Sequence, residues 1–254
     1  MIYIDQLQRP VHLPATPKRI VSLVPSLTEL LVDLGLEEAL VGVTKFCVHP
    51  APIRKAKVII GGTKNFHFDR IRELKPDLII GNKEENYLEG IEALEKDFPV
   101  WVSDVKSLEE ALEMIEGIGE VTGRDAEAGE VTAKVRDCMK RELPFKGTAV
   151  YLIWKDPLMT VGRDTFVNEM MQRAGYKNLI SENRYPEISE RDLVFLHPEY
   201  LLLSSEPFPF AEKHRTYFQK LLPETRVLMV DGEMFSWFGS RILKAFSYFQ
   251  TLVK

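Results

Sequence analysis

Cysteine is scarce in this sequence, which has only Cys47 and Cys138 among its 254 residues. Two cysteines give no disulfide framework. No dense run of lysine and arginine occurs, and the net charge is −5, which argues against a partner held through nucleic-acid phosphates. No stretch approaches the roughly 20 apolar residues of a membrane span, so we expect no membrane insertion.

The motifs of common catalytic sites are also missing. The sequence has no Gly-x-Ser-x-Gly elbow, no P-loop and no Gly-x-Gly-x-x-Gly. Cys47 and His49 would lie on one face of an extended segment, and His67 could complete a metal site with them. Three loop residues are weak evidence, so we expect neither a catalytic residue nor a protein-only metal site. His49 is better explained as a single contact to a ligand or to a metal inside one.

The first residues, Met1 to Gln6, have no basic segment and no apolar core, and so do not resemble a signal peptide. We therefore expect a cytoplasmic protein as the sequence stands. A periplasmic or cell-surface location is the alternative if a signal was removed.

Two helices in series are predicted near the middle of the chain. Apolar residues recur at helical spacing from Ser107 to about Val121, and a capping box starts at Ser107. Gly123 breaks the pattern, and Asp125 can cap a second helix that runs to about Glu142, roughly 27 Å long. This second helix is either an ordinary packing helix in one large domain or a rod that joins two lobes.

Short apolar runs alternate with helical segments on both sides of these helices. The continuous apolar run from Arg19 to Val24 predicts a strand buried on both faces, and Ser26 is predicted to cap the helix that follows. Residues 71–80 have a counterpart 122 positions later, at 193–202. Each segment predicts a short helix, a proline stop and a buried strand, which favours two related lobes.

The predicted fold is therefore α/β, with two Rossmann-like lobes that contain parallel sheets and are joined by one long helix. Residues 1–17 form an N-terminal hairpin, 18–122 the first lobe, 123–143 the linking helix and 144–254 the second lobe. We expect a monomer.

Ligands of α/β sheets bind beyond the carboxyl ends of the strands. Trp101 lies within a predicted strand and suits the core equally well, whereas Trp154 and Trp237 lie in loops and are predicted to be exposed. Aromatic side chains there suit a large, flat, partly apolar ligand. The candidate residues at the strand ends are Pro25, Phe46, His49, Lys64, Trp101, Trp154, Phe235 and Trp237.

The run from Arg19 to Glu29, with Leu40 to Val43 after it, resembles the opening of helical-backbone (class III) ABC-importer substrate-binding proteins. It is most similar to the vitamin B12-binding protein group. Residues 71–80, 162–163, 185–189 and 241–242 also resemble that family, so the resemblance covers essentially residues 18–250. It implies two lobes joined by a long helix, a ligand between them and no catalysis.

The resemblance further implies the ligand, the partner and the residues that contact them. The ligand would be cobalamin, haem or an iron-siderophore complex, with no intrinsic cofactor, and the partner an ABC permease. Docking to that permease is implied at Asp69; in the second lobe Arg191 stands at the family's carboxylate position, so the neighbouring Glu190 is the candidate. His49 stands where the family usually has a tyrosine. The implied cobalamin contacts are Pro25, Thr28, Lys64, Trp154, Tyr185, Phe235 and Arg241.

Two functional hypotheses follow. The first is a non-enzymatic binding protein for a metal chelate, cobalamin or another corrinoid before haem or an iron-siderophore, in ABC-type uptake. The second is a cytoplasmic metal- or tetrapyrrole-handling enzyme, or a chaperone for one, that uses His49, Cys47 and His67.

Overall fold

A computed structural model describes residues 1–252, and its chain divides into two compact units. Unit 1 comprises Met1–Val105, Glu109–Arg136 and Phe238–Arg241. Unit 2 comprises Lys106–Leu108, Asp137–Trp237 and the residues from Ile242 onward.

The elements of the first part of the chain all contribute to unit 1. Its strands are β1 (Ile2–Ile4), β2 (Pro10–His12), β3 (Ile20–Ser22), β4 (Leu40–Val43), β5 (Val58–Ile59), β6 (Gly61–Gly62), β7 (Asn65–Phe66), β8 (Leu78–Asn82) and β9 (Val100–Ser103). Its helices are α1 (Pro25–Asp33), α2 (Ile53–Ala56), α3 (Phe68–Leu74), α4 (Leu88–Glu95), α5 (Leu108–Thr122) and α6 (Asp125–Met139).

The main sheet of unit 1 is parallel, with strand order β5-β4-β3-β8-β9. Its central strand β3 is buried at every residue, as the continuous apolar run from Arg19 predicts. Because all five strands run the same way, their carboxyl ends meet at one edge of the sheet. The predicted N-terminal hairpin is confirmed as the antiparallel pair β1 and β2.

Helix α1 begins two residues earlier than predicted. Pro25 occupies its first position, and Val24 precedes it as the N-cap without a side-chain hydrogen bond. Proline suits this position because its fixed φ matches the helix and its missing N–H has no partner there. Ser26 therefore lies inside the first turn, and the predicted capping box is wrong.

The remaining elements all belong to unit 2. Before the last of them, α11, the chain returns briefly to unit 1 at Phe238–Arg241. The strands are β10 (Gly147–Trp154), β11 (Met159–Thr160), β12 (Tyr176–Asn178), β13 (Tyr200–Ser204) and β14 (Arg226–Val230). The helices are α7 (Phe166–Arg173), α8 (Glu190–Leu196), α9 (Glu212–Leu221), α10 (Glu233–Ser236) and α11 (Ile242–Thr251).

The sheet of unit 2 is built on the long strand β10. Strands β12, β10, β13 and β14 are parallel, whereas β11 is antiparallel to the end of β10. Alternate side chains of β10 and β13 pack into one apolar core, which includes Val150, Leu152, Leu201 and Leu203. The α/β class and the predicted parallel sheets are thus confirmed.

The two central helices are present, but the second is shorter than predicted. Helix α6 has 15 residues and ends at Met139 instead of Glu142, which corresponds to about 22 Å. Pro144 disfavours helical backbone in the residue before it, so the chain is irregular up to β10. Arg136 of α6 pairs with Glu109 of α5 at 3.1 Å. The assignment of this helix as the link between lobes stays a prediction.

The internal repeat is confirmed in detail. Helices α3 and α8 each have seven residues and end with a left-handed residue, Lys75 and His197. Strands β8 and β13 follow each helix at the same spacing. The acidic residue after each proline then accepts a backbone N–H at the amino end of the neighbouring parallel strand: Asp77 from Arg19 at 2.8 Å and Glu199 from Thr148 at 2.6 Å.

Several short elements were not predicted: α2, α10 and the β6–β7 hairpin. Within residues 1–252, no helix has the length and apolar character to cross a membrane.

Candidate functional site

The carboxyl edge of the unit 1 sheet is held together by buried amides. Asn82, at the end of β8, donates to the Ser103 hydroxyl at 3.0 Å and accepts the backbone N–H groups of Glu84 and Glu85. Asn86 donates to the Thr63 carbonyl at 3.0 Å, and its side-chain oxygen accepts the N–H of Asn82 at 2.9 Å. These bonds fix the loops that follow β8 and β5, so the edge is preorganised.

Phe46 is the exposed aromatic residue of this edge. Its side chain is 50% exposed, and it follows β4. A Cβ atom at Gly62 would lie 3.2 Å from the Phe46 ring, so glycine at that position lets the ring pack directly on the backbone. The Lys45 ammonium lies 5.0 Å from the centroid of the Phe46 ring. One face of the ring is therefore supported while much of it stays available to a ligand.

Lys64 also lies at this edge, but its ammonium is partly used within the protein. Its Nζ donates to the carbonyl of Glu84 at 2.6 Å and to that of Asn86 at 3.3 Å. It therefore closes the β8–α4 loop over the β6–β7 turn and leaves one of its three N–H donors for a ligand. Pro25, which begins α1 at the end of β3, is half-buried.

The structure does not bring the three candidate metal ligands, Cys47, His49 and His67, together in one site. The Cys47 thiol is buried, with Thr28 Oγ1 at 3.1 Å and Thr44 Oγ1 at 3.2 Å, and burial raises its pKa. A raised pKa disfavours the thiolate that binds metals. His49 is half-buried and His67 is exposed. No three His, Cys, Asp or Glu side chains come together as a metal site anywhere in residues 1–252.

Trp154 is the exposed aromatic residue at the carboxyl edge of unit 2. It ends β10 and is 39% exposed, as predicted. Its indole N–H donates to the Asp156 carbonyl at 3.2 Å, and the Phe208 ring packs edge-on against it at 5.7 Å. Tyr185 is half-buried, and the Arg184 guanidinium lies 5.6 Å from its ring.

Trp237 is only 8% exposed, and its predicted exposure is wrong. It follows the unpredicted helix α10, and its indole N–H donates to Glu206 Oε1 at 2.9 Å. Ser236 donates to the same carboxylate oxygen at 2.7 Å. Burial raises the pKa of Glu206, and the neighbouring Glu233 and Asp231 charges raise it further. Trp237 is therefore a buried residue that connects the segment after α10 to Glu206.

Phe235 is a core residue. Its ring is fully buried and lies 5.2 Å from the Tyr151 ring and 4.8 Å from the Phe249 ring. In this arrangement it presents no surface to a ligand, contrary to the contact that the resemblance implies.

Thr28 and Trp101 are also buried at the edge of unit 1. The Thr28 hydroxyl donates to the Val24 carbonyl, 3.0 Å away, within the first turn of α1. Trp101 lies in β9, and its indole N–H has no hydrogen-bond partner among residues 1–252. Of the two interpretations of Trp101, the structure favours the core residue.

Arg241 is buried with Glu29 in unit 1. Arg241 Nε donates to Glu29 Oε2 at 2.7 Å, and its Nη2 donates to Oε1 at 3.0 Å. This two-bond geometry is the strongest that an arginine makes with a carboxylate. The pair uses two of the three guanidinium nitrogens of Arg241 and fixes α1 to the residues before α11.

Sequence reasoning missed one exposed side chain at the site. Leu88 begins α4 and is 64% exposed, directly after the loop that Lys64 closes. The rule that ligands bind at strand ends would have found it, because its loop follows β8.

The residues implied in permease docking lie on the repeated helices. Asp69 is exposed on α3 and pairs with Arg72 at 3.3 Å. Glu190 is exposed on α8 and accepts the Tyr217 hydroxyl at 2.5 Å.

Residues 20–226 match the family model described as periplasmic binding protein, and the chain belongs to this family. It is 27% identical over 257 residues to the uncharacterized ABC transporter substrate-binding lipoprotein YvrC of Bacillus subtilis, which covers 94% of this chain and 81% of that protein. It is 24% identical over 242 residues to the vitamin B12-binding protein of Pectobacterium carotovorum, covering 91% and 86% of the two chains.

Among solved structures, the fold is similar to that of a periplasmic heme-binding protein from Pseudomonas aeruginosa. The TM-score is 0.81 at 23% identity, with 93% of this chain and 92% of that chain covered. This likeness confirms the two-lobed α/β fold. These relatives are named as binding proteins, and as lipoprotein or periplasmic where a location is given, so they lend no support to a cytoplasmic location.

Proposed function

We propose that this protein binds a metal chelate on the outer side of a membrane and delivers it to an ABC permease. Cobalamin or another corrinoid is the first candidate, and haem or an iron-siderophore complex the alternative. Family membership and the relatives named for vitamin B12 and heme support this class of ligand. The protein acts by binding alone and as a monomer.

One observation carries the proposal: each unit presents an exposed aromatic side chain at the carboxyl edge of its parallel sheet. This residue is Phe46 in unit 1 and Trp154 in unit 2. Parallel sheets bind ligands at this edge, and aromatic faces suit a flat macrocycle with a partly apolar rim. That the ligand lies between the two lobes stays a prediction.

The proposed contacts are the predicted residues that keep exposed or half-exposed surface. In unit 1 they are Pro25, Phe46, His49 and Lys64, and in unit 2 they are Trp154 and Tyr185. Asp69 and Glu190 are the proposed docking carboxylates. No observation favours the second hypothesis, because Cys47, His49 and His67 do not form a metal site within residues 1–252.

Titration with cyanocobalamin, dicyanocobinamide and haemin, followed by tryptophan fluorescence, tests the proposal. We expect saturable quenching with a Kd below about 100 μM, equivalent to about −5.5 kcal/mol, for one of the three. The tightest binder identifies the chelate class. Absence of saturable quenching by all three, and by a ferric siderophore, would overturn the proposal.

A further inference from the structure

A polar cavity of about 560 Å³ opens in unit 2 beside α7. The residues just before α5, the irregular stretch after α6 and one face of α7 line it. Four of the lining side chains are cationic, namely Lys106, Arg141, Arg163 and Arg173, and two are acidic, Glu142 and Glu169. This local excess of positive charge contrasts with the net charge of −5 for the whole chain.

One of the two carboxylates is already neutralised. Glu169 Oε2 accepts the backbone N–H of Leu108, the first residue of α5, at 2.7 Å. Its other oxygen pairs with Arg173 at 3.4 Å. The helix terminus and one arginine thus balance Glu169. Glu142 is the other acidic side chain that lines the cavity, beside Arg141 and Arg163.

Arg163 supplies the open donors. Its backbone is fixed, since its N–H donates to the Glu182 carbonyl at 2.9 Å and its carbonyl accepts from Asn168 Nδ2 at 2.9 Å. Its guanidinium, however, makes no hydrogen bond or ion pair with any residue from 1 to 252. The Arg141 guanidinium has one ion pair, with Asp137 at 3.5 Å. Both arginines can therefore turn donors towards the cavity without breaking a short bond.

We propose that this cavity binds a small multivalent oxyanion, a phosphate-type or polycarboxylate compound. Guanidinium groups match the geometry of phosphate and carboxylate oxygens and bind them through paired N–H donors. The volume exceeds that of a single inorganic phosphate and lies within the range of small-molecule sites. None of the residues that line the cavity is among the contacts proposed for the chelate, and the proposal does not depend on that function.

Isothermal titration of the full chain with pyrophosphate and with citrate, at constant ionic strength set with chloride, tests this site. We expect saturable binding with a Kd below about 1 mM. Arg163→Gln and, separately, Arg141→Gln should each weaken it about tenfold, and Arg163→Lys should recover part of the loss.

Lys177→Gln is the matched control, because Lys177 is an exposed cation of β12 outside the cavity. It should leave the Kd unchanged, and circular dichroism should show that all variants are folded. Failure of both anions to saturate, or an equal loss of binding in Lys177→Gln, would overturn the proposal.

Discussion

Lys75 and His197 stand 122 positions apart and end equivalent helices with the same left-handed backbone, at φ values of 46° and 44°. Each precedes a proline and an acidic residue that accepts a backbone N–H at the amino end of a neighbouring strand, β3 or β10. A non-glycine residue in this region carries a steric cost of roughly 1 kcal/mol. The repeat therefore preserves a strained turn, which indicates that the turn sets the entry of β8 and β13.

Replacing either residue with glycine should stabilise the protein. Lys75→Gly and His197→Gly should each raise the free energy of unfolding by about 0.5–1 kcal/mol, because glycine adopts positive φ without the steric cost. The two effects should add in the double variant, since the residues lie in different units and share no partner. Urea denaturation followed by circular dichroism measures both.

Lys96→Gly is the matched control, because Lys96 ends α4 with a right-handed backbone at φ −68°. Glycine there should lower the free energy of unfolding by about 0.5–1 kcal/mol. If Lys75→Gly were destabilising to the same extent, the left-handed conformation would not be the source of the strain.

The elements that the sequence predicted well are those with a complete local signal. The apolar run of β3 and the proline stops after α3 and α8 are each contained in a few consecutive residues. Helices α2 and α10 have four residues each, about one turn, so no helical periodicity can show in the sequence. The predicted length of α6 is too great because the pattern of its polar face continues in Lys140 and Arg141, beyond the last helical residue.

The site was predicted at the level of loops but not of side chains. Phe46 and Cys47 are neighbours, yet the first is exposed and the second is buried against Thr28 and Thr44. Arg241 has a carboxylate partner 212 residues away. Neither fact is encoded in local spacing, because both depend on which loops the sheet brings together.

Glu199 should make the stability of unit 2 depend on pH. The backbone N–H of Thr148 and then its hydroxyl hold the pKa of Glu199 below 4.5. A lowered pKa means that the ionised carboxylate stabilises the fold above 4.5 and that this contribution is lost as the pH falls through the folded-state pKa. Glu199→Gln should therefore be less stable than the wild type at neutral pH, and the difference should shrink with acidification.

Urea denaturation at pH 7 and near pH 3 tests the Glu199 prediction. Glu224→Gln is the control, since Glu224 is exposed and makes no side-chain hydrogen bond within the described chain. A stability difference for Glu199→Gln that stays constant across this pH range would contradict the prediction.

The buried pair of Arg241 and Glu29 should contribute to stability more than to ligand affinity. Arg241→Met leaves the Glu29 carboxylate buried without its cation and should lower the free energy of unfolding by about 3–5 kcal/mol. The double variant with Glu29→Gln should lose less than the sum of the two single changes. Arg215→Met, which removes the exposed pair with Glu212, should cost less than about 1 kcal/mol.

Calorimetric titration of folded Arg241→Met with the chelate that the wild type binds separates a role in stability from a role in ligand affinity. We expect an affinity close to that of the wild type. A variant of wild-type stability that no longer binds the chelate would restore Arg241 as a ligand contact.

Phe46 and Trp154 should carry the affinity for the chelate. Each exposes enough aromatic surface that its removal should cost about 1–2 kcal/mol of binding, or roughly tenfold in Kd. Phe46→Ala and Trp154→Ala should therefore weaken calorimetric binding without a matching loss of stability, because the two side chains are already 50% and 39% exposed. Phe145→Ala is the matched control: Phe145 is 70% exposed but lies before β10, at the opposite end from Trp154. Equal weakening by Phe145→Ala and Phe46→Ala would show that the strand-end edge is not the binding surface.

Trp237→Phe should have the opposite effects to Trp154→Ala. It should lower the free energy of unfolding, because the hydrogen bond to Glu206 is lost, and it should leave the Kd for the chelate unchanged.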